Sequence, residues 1–305
     1  PLMRRYYRPL IVVFSSLTLA TLISFAAVEL TEPSRQQPAP SRAGKATCEV
    51  LDPVQISPTK QNAPADQAPL SPEESKLLAQ KKEFQEIVVK AEGGDADAMF
   101  QRSMGHLVGL GTPIDRPAAA KWLRLAAEKG HTQAQFSYGK VCLLGEIRPK
   151  DLPEAIRWFR LAAEKMNPDA ELSLAQAYAK GEGVEADEKE CRRWLKLAAS
   201  HGHPVAQYDY AFSILDDNDP ATCAESAEWL RKSALQGNAT AMFNLAIMYQ
   251  RGVGVPKDRI TAFAWYMVAE VDGNEDIREE VKKVLAHATP GDRRKAIERT
   301  KGIID

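Results

Sequence analysis

Tryptophan occurs five times in this chain, at positions 122, 158, 194, 229 and 265, so the intervals are 36, 36, 35 and 36 residues. Each opens a similar phrase: Trp-Leu-Arg-Leu-Ala-Ala-Glu-Lys-Gly at 122–130, Trp-Phe-Arg-Leu-Ala-Ala-Glu-Lys-Met at 158–166, Trp-Leu-Lys-Leu-Ala-Ala-Ser-His-Gly at 194–202. Self-similarity at a fixed period of this length marks a stacked array, in which one unit cannot bury its own apolar face and leans on the next. Such an array presents surface more often than it performs chemistry.

Aligning on tryptophan exposes the rest of the register. Ala98, Ala134, Ala170, Ala206 and Ala241 open a first helix, and Phe100, Phe136, Leu172, Tyr208 and Phe243 follow two residues later. That helix is expected to close at Gly109, Gly145, Gly181 and Gly252, since glycine adopts the left-handed conformation of a helix end. Asp115, Asp151, Asp187 and Asp258 stand where they can cap a second helix, which carries the tryptophan and ends at Gly130, Gly202 and Gly237. Each unit reads as a helix hairpin, with alanines at the crossing and Trp122, Trp158, Trp194, Trp229 and Trp265 filling the space between hairpins.

The resulting pattern, Ala-x-aromatic-x-x-Gly-x-x-Tyr-x-x-Gly-x-Gly-Val, then Asp, then Ala-x-x-Trp-x-x-x-Ala-Ala-x-x-Gly, resembles the SEL-one-like repeat family, a relative of the tetratricopeptide repeats. Tyr249 to Val255 and Tyr178 to Val184 match it best, and the likeness covers about residues 95–272. The resemblance implies an all-α fold, a right-handed α/α superhelix of about five hairpins. It also implies an adaptor or scaffold in the assembly of protein complexes, often in bacterial envelopes.

Repeat two departs from the pattern with Gly145-Glu-Ile-Arg-Pro149, and repeat four with Asp216-Asp217-Asn218-Asp219-Pro220 and no glycine. The paired cysteines of some secreted members are missing. Before the array, 72–94 reads as a polar capping helix with Glu86 in the tryptophan slot. After it, 273–305 reads as capping helices over 275–288 and 289–301.

Arg4, Arg5 and Arg8 precede an uncharged apolar run, Leu10 to Val28, of 19 residues. That is close to the roughly 20 needed to cross a bilayer. Residues 1–30 are therefore expected to be a signal anchor with its N-terminus in the cytoplasm and the repeats in the periplasm. Ser24-Phe25-Ala26 keeps open a cleaved signal peptide and a periplasmic or secreted product. Residues 31–71, punctuated by seven prolines, read as a semi-extended tether.

The net charge of −1, from 40 basic and 41 acidic residues, offers no basic surplus for nucleic acid. Cys142 and Cys191 occupy slots held elsewhere by tyrosine and alanine and read as small buried hydrophobes, with an incidental disulfide as the other reading. Gly181-Glu-Gly183 and Gly252-Val-Gly254 resemble part of a phosphate loop, but they recur at helix ends and lack the following Lys-Ser, so they read as helix stops. His201-Gly-His203 lacks a third ligand nearby, and Asp216, Asp217 and Asp219 miss the calcium-loop spacing. No nucleophile or zinc-protease motif occurs, so no enzyme, cofactor or metal is expected.

One feature points to function. Spacing of i, i+3, i+7 puts a stripe on each first helix, expected to line the concave face of the superhelix. It reads Gln101, Met104, Val108; Ser137, Lys140, Leu144; Ser173, Gln176, Lys180; Asp209, Phe212, Asp216; Asn244, Ile247, Arg251. The bland reading is that its apolar members pack on the adjacent helix. The sharper one is a groove for a peptide or helix of an envelope protein, with apolar anchors in a polar rim. A module holding cell-wall glycan or exported polysaccharide would need a stacked aromatic row, which Phe212 alone does not supply. A secreted effector binding a host protein is the third reading, and fractionation separates it from the anchored one.

Overall fold

The computed structural model describes residues 71–272 and 275–304, and among them thirteen α-helices and no strand occur. The predicted anchor, and the tether up to residue 70, lie outside the described residues. Among the described residues no helix is long and apolar enough to cross a membrane.

Two compact units divide after residue 79. The described part of the first unit is the start of α1 (Pro72–Glu92). Ser71 and Glu74 cap it reciprocally: Ser71 N–H donates to Glu74 Oε2 at 2.9 Å and Glu74 N–H to Ser71 Oγ at 3.2 Å.

In the second unit the rest of α1 is followed by five hairpins. These are α2 (Ala96–Val108) with α3 (Arg116–Glu128), and α4 (Thr132–Leu144) with α5 (Leu152–Ala163). Next come α6 (Pro168–Lys180) with α7 (Glu188–Ser200), and α8 (Pro204–Ile214) with α9 (Pro220–Leu235). The last pair is α10 (Ala239–Arg251) with α11 (Arg259–Asp272). Each second helix packs on the next first helix, and α11 is covered by α12 (Glu275–Leu285) and α13 (Pro290–Ile304). The chain is an all-helical solenoid, and α13 runs past the expected end at 301.

The aspartates cap the second helices as their positions imply. Asp115, Asp151 and Asp187 accept from the backbone N–H of Ala118, Glu154 and Glu190 at 2.9, 3.0 and 3.2 Å, and Asp258 from Thr261 at 3.0 Å. Gly109, Gly145, Gly181 and Gly252 end the first helices in the left-handed conformation. The second glycine of the turn has another reason to be glycine. A Cβ on Gly254 would lie 2.2 Å from the carbonyl oxygen of Cys223, because this turn presses on α9 of the preceding hairpin. In repeat two, Arg148 fastens the turn instead, donating to Glu154 at 2.6 Å, to Tyr138 Oη at 3.1 Å and to Cys142 Sγ at 3.3 Å. Repeat four ends α8 without glycine, and Leu215 simply turns to extended backbone.

Ala134, Ala170, Ala206 and Ala241 are fully buried, which lets paired helices approach. The indoles are not equally deep. Trp158 and Trp265 are buried at 3% and 4% exposure, whereas Trp122, Trp194 and Trp229 are half-buried. Trp194 and Trp229 each touch two neighbouring core clusters, so they join hairpins from a shallower depth. Trp122 is covered by the Arg102 guanidinium, 3.9 Å from the ring centre. Cys142 is buried, and burial pushes its thiol up to about 11. Cys191 is only half-buried, against the sequence expectation, although Ala119, Ala155 and Ala262 in the same slot are buried and Cys191 itself packs on the core of its hairpin. Both are free thiols, as is Cys223.

Candidate docking surface

The N-termini of the first helices are stitched to one another by their own caps. Asp95, His131, Asn167, His203 and Asn238 are the N-cap residues, and each accepts from the backbone N–H of the alanine three residues on. Histidine and asparagine carry a donor at the other end of the side chain. His131 Nε2 reaches Asp97 Oδ1 at 3.3 Å, Asn167 Nδ2 donates to Gln133 Oε1 at 3.3 Å, and His203 Nε2 reaches Asp169 Oδ1 at 3.3 Å. The acceptor in each case lies on the preceding first helix. At the last junction the corresponding residue is Val205, which offers Asn238 no acceptor.

His201 and His203 therefore serve different carboxylates rather than one metal. His201 Nδ1 lies 2.9 Å from both oxygens of Glu171, a fully buried carboxyl. Burial raises the Glu171 pKa, and the His201 contact lowers it in part. Asp219 caps α9, and Asp216 Oδ1 accepts from Asn218 N–H at 3.0 Å, so these carboxylates hold the turn. Among the described residues no group of three or more His, Cys, Asp or Glu comes together as metal ligands.

Along the first-helix stripe, Gln101, Met104, Val108, Leu144, Lys180 and Arg251 are exposed, while Ser137, Lys140, Ser173, Gln176, Asp209, Phe212 and Ile247 are half-buried. Phe212 and Ile247 pack against the core of the last hairpins, and the Phe212 ring lies 4.8 Å from that of Tyr208. Asn244 is buried at 4% exposure, so this member of the stripe has almost no surface to offer. Burial lowers the pKa of Lys140, opposed by Asp169.

A family model for the Sel1 repeat matches residues 96–131, 132–165, 168–203, 204–238 and 239–266. The chain belongs to the Sel1 repeat family. A crystal structure of a Sel1 repeat protein from Oxalobacter formigenes is 33% identical with a TM-score of 0.60, over 67% of this chain and 59% of that one. The protective antigen c5321 of uropathogenic Escherichia coli, which displays the same repeat fold, is 27% identical with a TM-score of 0.46, over 70% of this chain and 54% of that one. The chain thus spans between half and three fifths of the length of these two relatives. A comparison with curated proteins found no match.

Sel1 repeats generally serve protein–protein interaction, and the fold is typically non-catalytic. In this Sel1 array the apolar surface is concentrated at one end. Met104, Leu107, Val108, Leu110 and Ile114 are exposed at 40%, 42%, 60%, 48% and 63% on the end of α2 and its turn. The sequence stripe contains Met104 and Val108 but misses the other three. The register does hold the signal: the slot of Leu110 is Glu146 and Glu182 in the next two repeats, and that of Ile114 is Lys150 and Ala186.

Proposed function

We propose that this Sel1 repeat protein is a non-catalytic scaffold of the bacterial envelope, held at the inner membrane by its N-terminal segment, with the repeats in the periplasm. It docks a protein partner on the face formed by its first helices, the concave face of the superhelix. The observation that carries this reading is the exposed cluster Met104, Leu107, Val108, Leu110 and Ile114, in which the Leu110 slot is Glu146 and Glu182 in the next two repeats. An exposed apolar cluster on a soluble domain is what a docking site requires and what solubility otherwise disfavours.

In-cell crosslinking from position 110, in the same cluster, followed by mass spectrometry, tests the docking role. Wild-type chain should yield one dominant protein adduct, and Met104→Asp with Val108→Asp should remove it. An unchanged adduct would overturn the assignment of this face. Fractionation tests the location: tagged protein should stay with membranes after a salt wash, and its appearance in the medium would overturn the anchor.

A further inference from the structure

The residue after the capped alanine of each first helix reaches the end of the preceding hairpin. Gln135 Nε2 donates to Ala127 O at 3.3 Å, and Gln207 Nε2 to Ala199 O at 3.2 Å, eight residues back in each case. Gln207 also works forward. Its Oε1 accepts from Gln236 Nε2 at 2.8 Å, at the end of the second helix of its own hairpin. One side-chain amide thus clamps two hairpins, with its donor behind and its acceptor ahead. At the first seam the clamp is half made, for Gln135 Oε1 is buried without a partner while Lys165 donates to Gly130 O.

Between these two seams the same slot holds Glu171, which is fully buried. The turn around it is unchanged. Met166 N–H donates to Ala163 O at 2.9 Å, as Gly130 and Gly202 N–H donate to Ala127 O and Ala199 O at 2.9 and 3.1 Å. Ahead, His201 stands in the slot of Gln236, its Nδ1 2.9 Å from both carboxyl oxygens. Behind lies the Ala163 carbonyl, to which a carboxylate has no hydrogen to give. The acid form has one, and it matches glutamine in length and in its pairing of one donor with one acceptor.

We propose that Glu171 is a proton-operated clamp between hairpins two and three. On taking a proton from solvent it donates its O–H to Ala163 O and accepts from His201 on the other oxygen, as Gln207 does at the next seam. On ionising it gives up the backward bond and keeps His201. Burial raises the Glu171 pKa above its ordinary 4.5, the direction the clamp requires. Among the charged groups of α5, α7 and the turns that join them to α6, His201 is the one that acts on this carboxyl, and it acts the other way. The folded state therefore holds the proton more tightly. The clamp is fully made below about pH 4.5 and is lost as pH rises through the folded value.

Glu171→Gln supplies the amide that stands in for the acid at every pH. Its urea midpoint should match wild type near pH 4 and exceed it by a margin that grows toward pH 7; the Asp209 contribution is common to both chains and cancels. A margin equal at all pH values, or failure of Glu171→Gln to fold, would overturn the clamp. The seam itself is read by hydrogen exchange of the Met166 and Asn167 amides, as the ratio of wild type to Glu171→Gln, so that intrinsic rates cancel. That ratio should rise by about threefold or more between pH 4 and pH 7. A constant ratio would mean that the carboxyl never lets go of the seam. In wild-type chain carrying 13C-labelled glutamate, the Glu171 Cδ resonance, assigned by its absence from Glu171→Gln, should titrate above 4.5. A midpoint at or below that value would also sink the proposal.

Discussion

His203 binds in two directions at once: its Nδ1 accepts the backbone N–H of Ala206 at 3.3 Å, and its Nε2 lies 3.3 Å from Oδ1 of Asp169 on the preceding first helix. A ring that accepts at Nδ1 carries its proton on Nε2, so the cap itself orients the stitch. The Asp169 carboxyl is held below its ordinary value, first by the His203 hydrogen bond. A serine cap would satisfy the helix but leave the neighbouring repeat unbound.

His203→Ala should therefore cost about 1–2 kcal/mol, from cap loss plus the broken stitch. His203→Asn, which keeps an acceptor and a donor, should cost less than half as much. Urea unfolding of the three proteins checks this order; equal loss in both variants would mean that the imidazole ring itself, and not its acceptor and donor, holds the junction.

Met166 is the non-glycine residue with positive φ, at 58°, among the described residues. It stands two residues before a helix, where Gly130, Gly202 and Gly237 serve the other hairpins with φ of 88°, 92° and 86°. Left-handed backbone costs an L-residue roughly 1–2 kcal/mol, while glycine adds about 0.5–1 kcal/mol of unfolded-state entropy. Met166→Gly should raise stability by about 0.5–1 kcal/mol on balance. The side chain is exposed, so no packing is lost. A fall in the urea midpoint would show that Met166 makes a contact worth more than the strain.

The unequal depth of the indoles sets an order of stability losses. Trp158→Ala removes a buried ring that stands edge-on to Tyr138 at 5.5 Å and donates to Glu154 at 3.3 Å, and it should cost about 3–5 kcal/mol. Trp194→Ala and Trp122→Ala should cost less, because both rings already meet solvent. Thermal melts that rank Trp122→Ala above Trp158→Ala would contradict the burial order.

Stability should fall as pH rises through the weakly acidic range on account of Asp209. Its folded pKa of about 7 exceeds the ordinary 3.8, so the folded state binds the proton more tightly. The penalty is absent below about pH 4, grows up to about pH 7 and is constant above it. With allowance for residual solvent around a half-buried group, Asp209→Asn should stabilise the fold by about 1–3 kcal/mol at neutral pH and by nothing near pH 4. A gain independent of pH would mean that the carboxyl is not perturbed.

Periodicity made the hairpins legible because a repeat restates its register five times. The alanine crossings, the aspartate caps of the second helices and the glycine stops all stand where the alignment puts them. The first-helix caps were missed because histidine in that slot reads as a surface residue until its second nitrogen has a partner on the previous helix. The stripe was read from one helix at a time, so it could not tell that Asn244 is covered or that Leu107, Leu110 and Ile114 are not.

What one dimension determined here is what recurs in register: the hairpins, the aspartate caps of the second helices, the glycine stops, the count of units and their family. What the tertiary structure decided is depth and reach. Whether an indole is buried, whether a carboxyl finds a cation, and which neighbour a cap touches all depend on how far each hairpin slides and turns on the last. That displacement is set by packing summed over many side chains, and no single position in the chain encodes it.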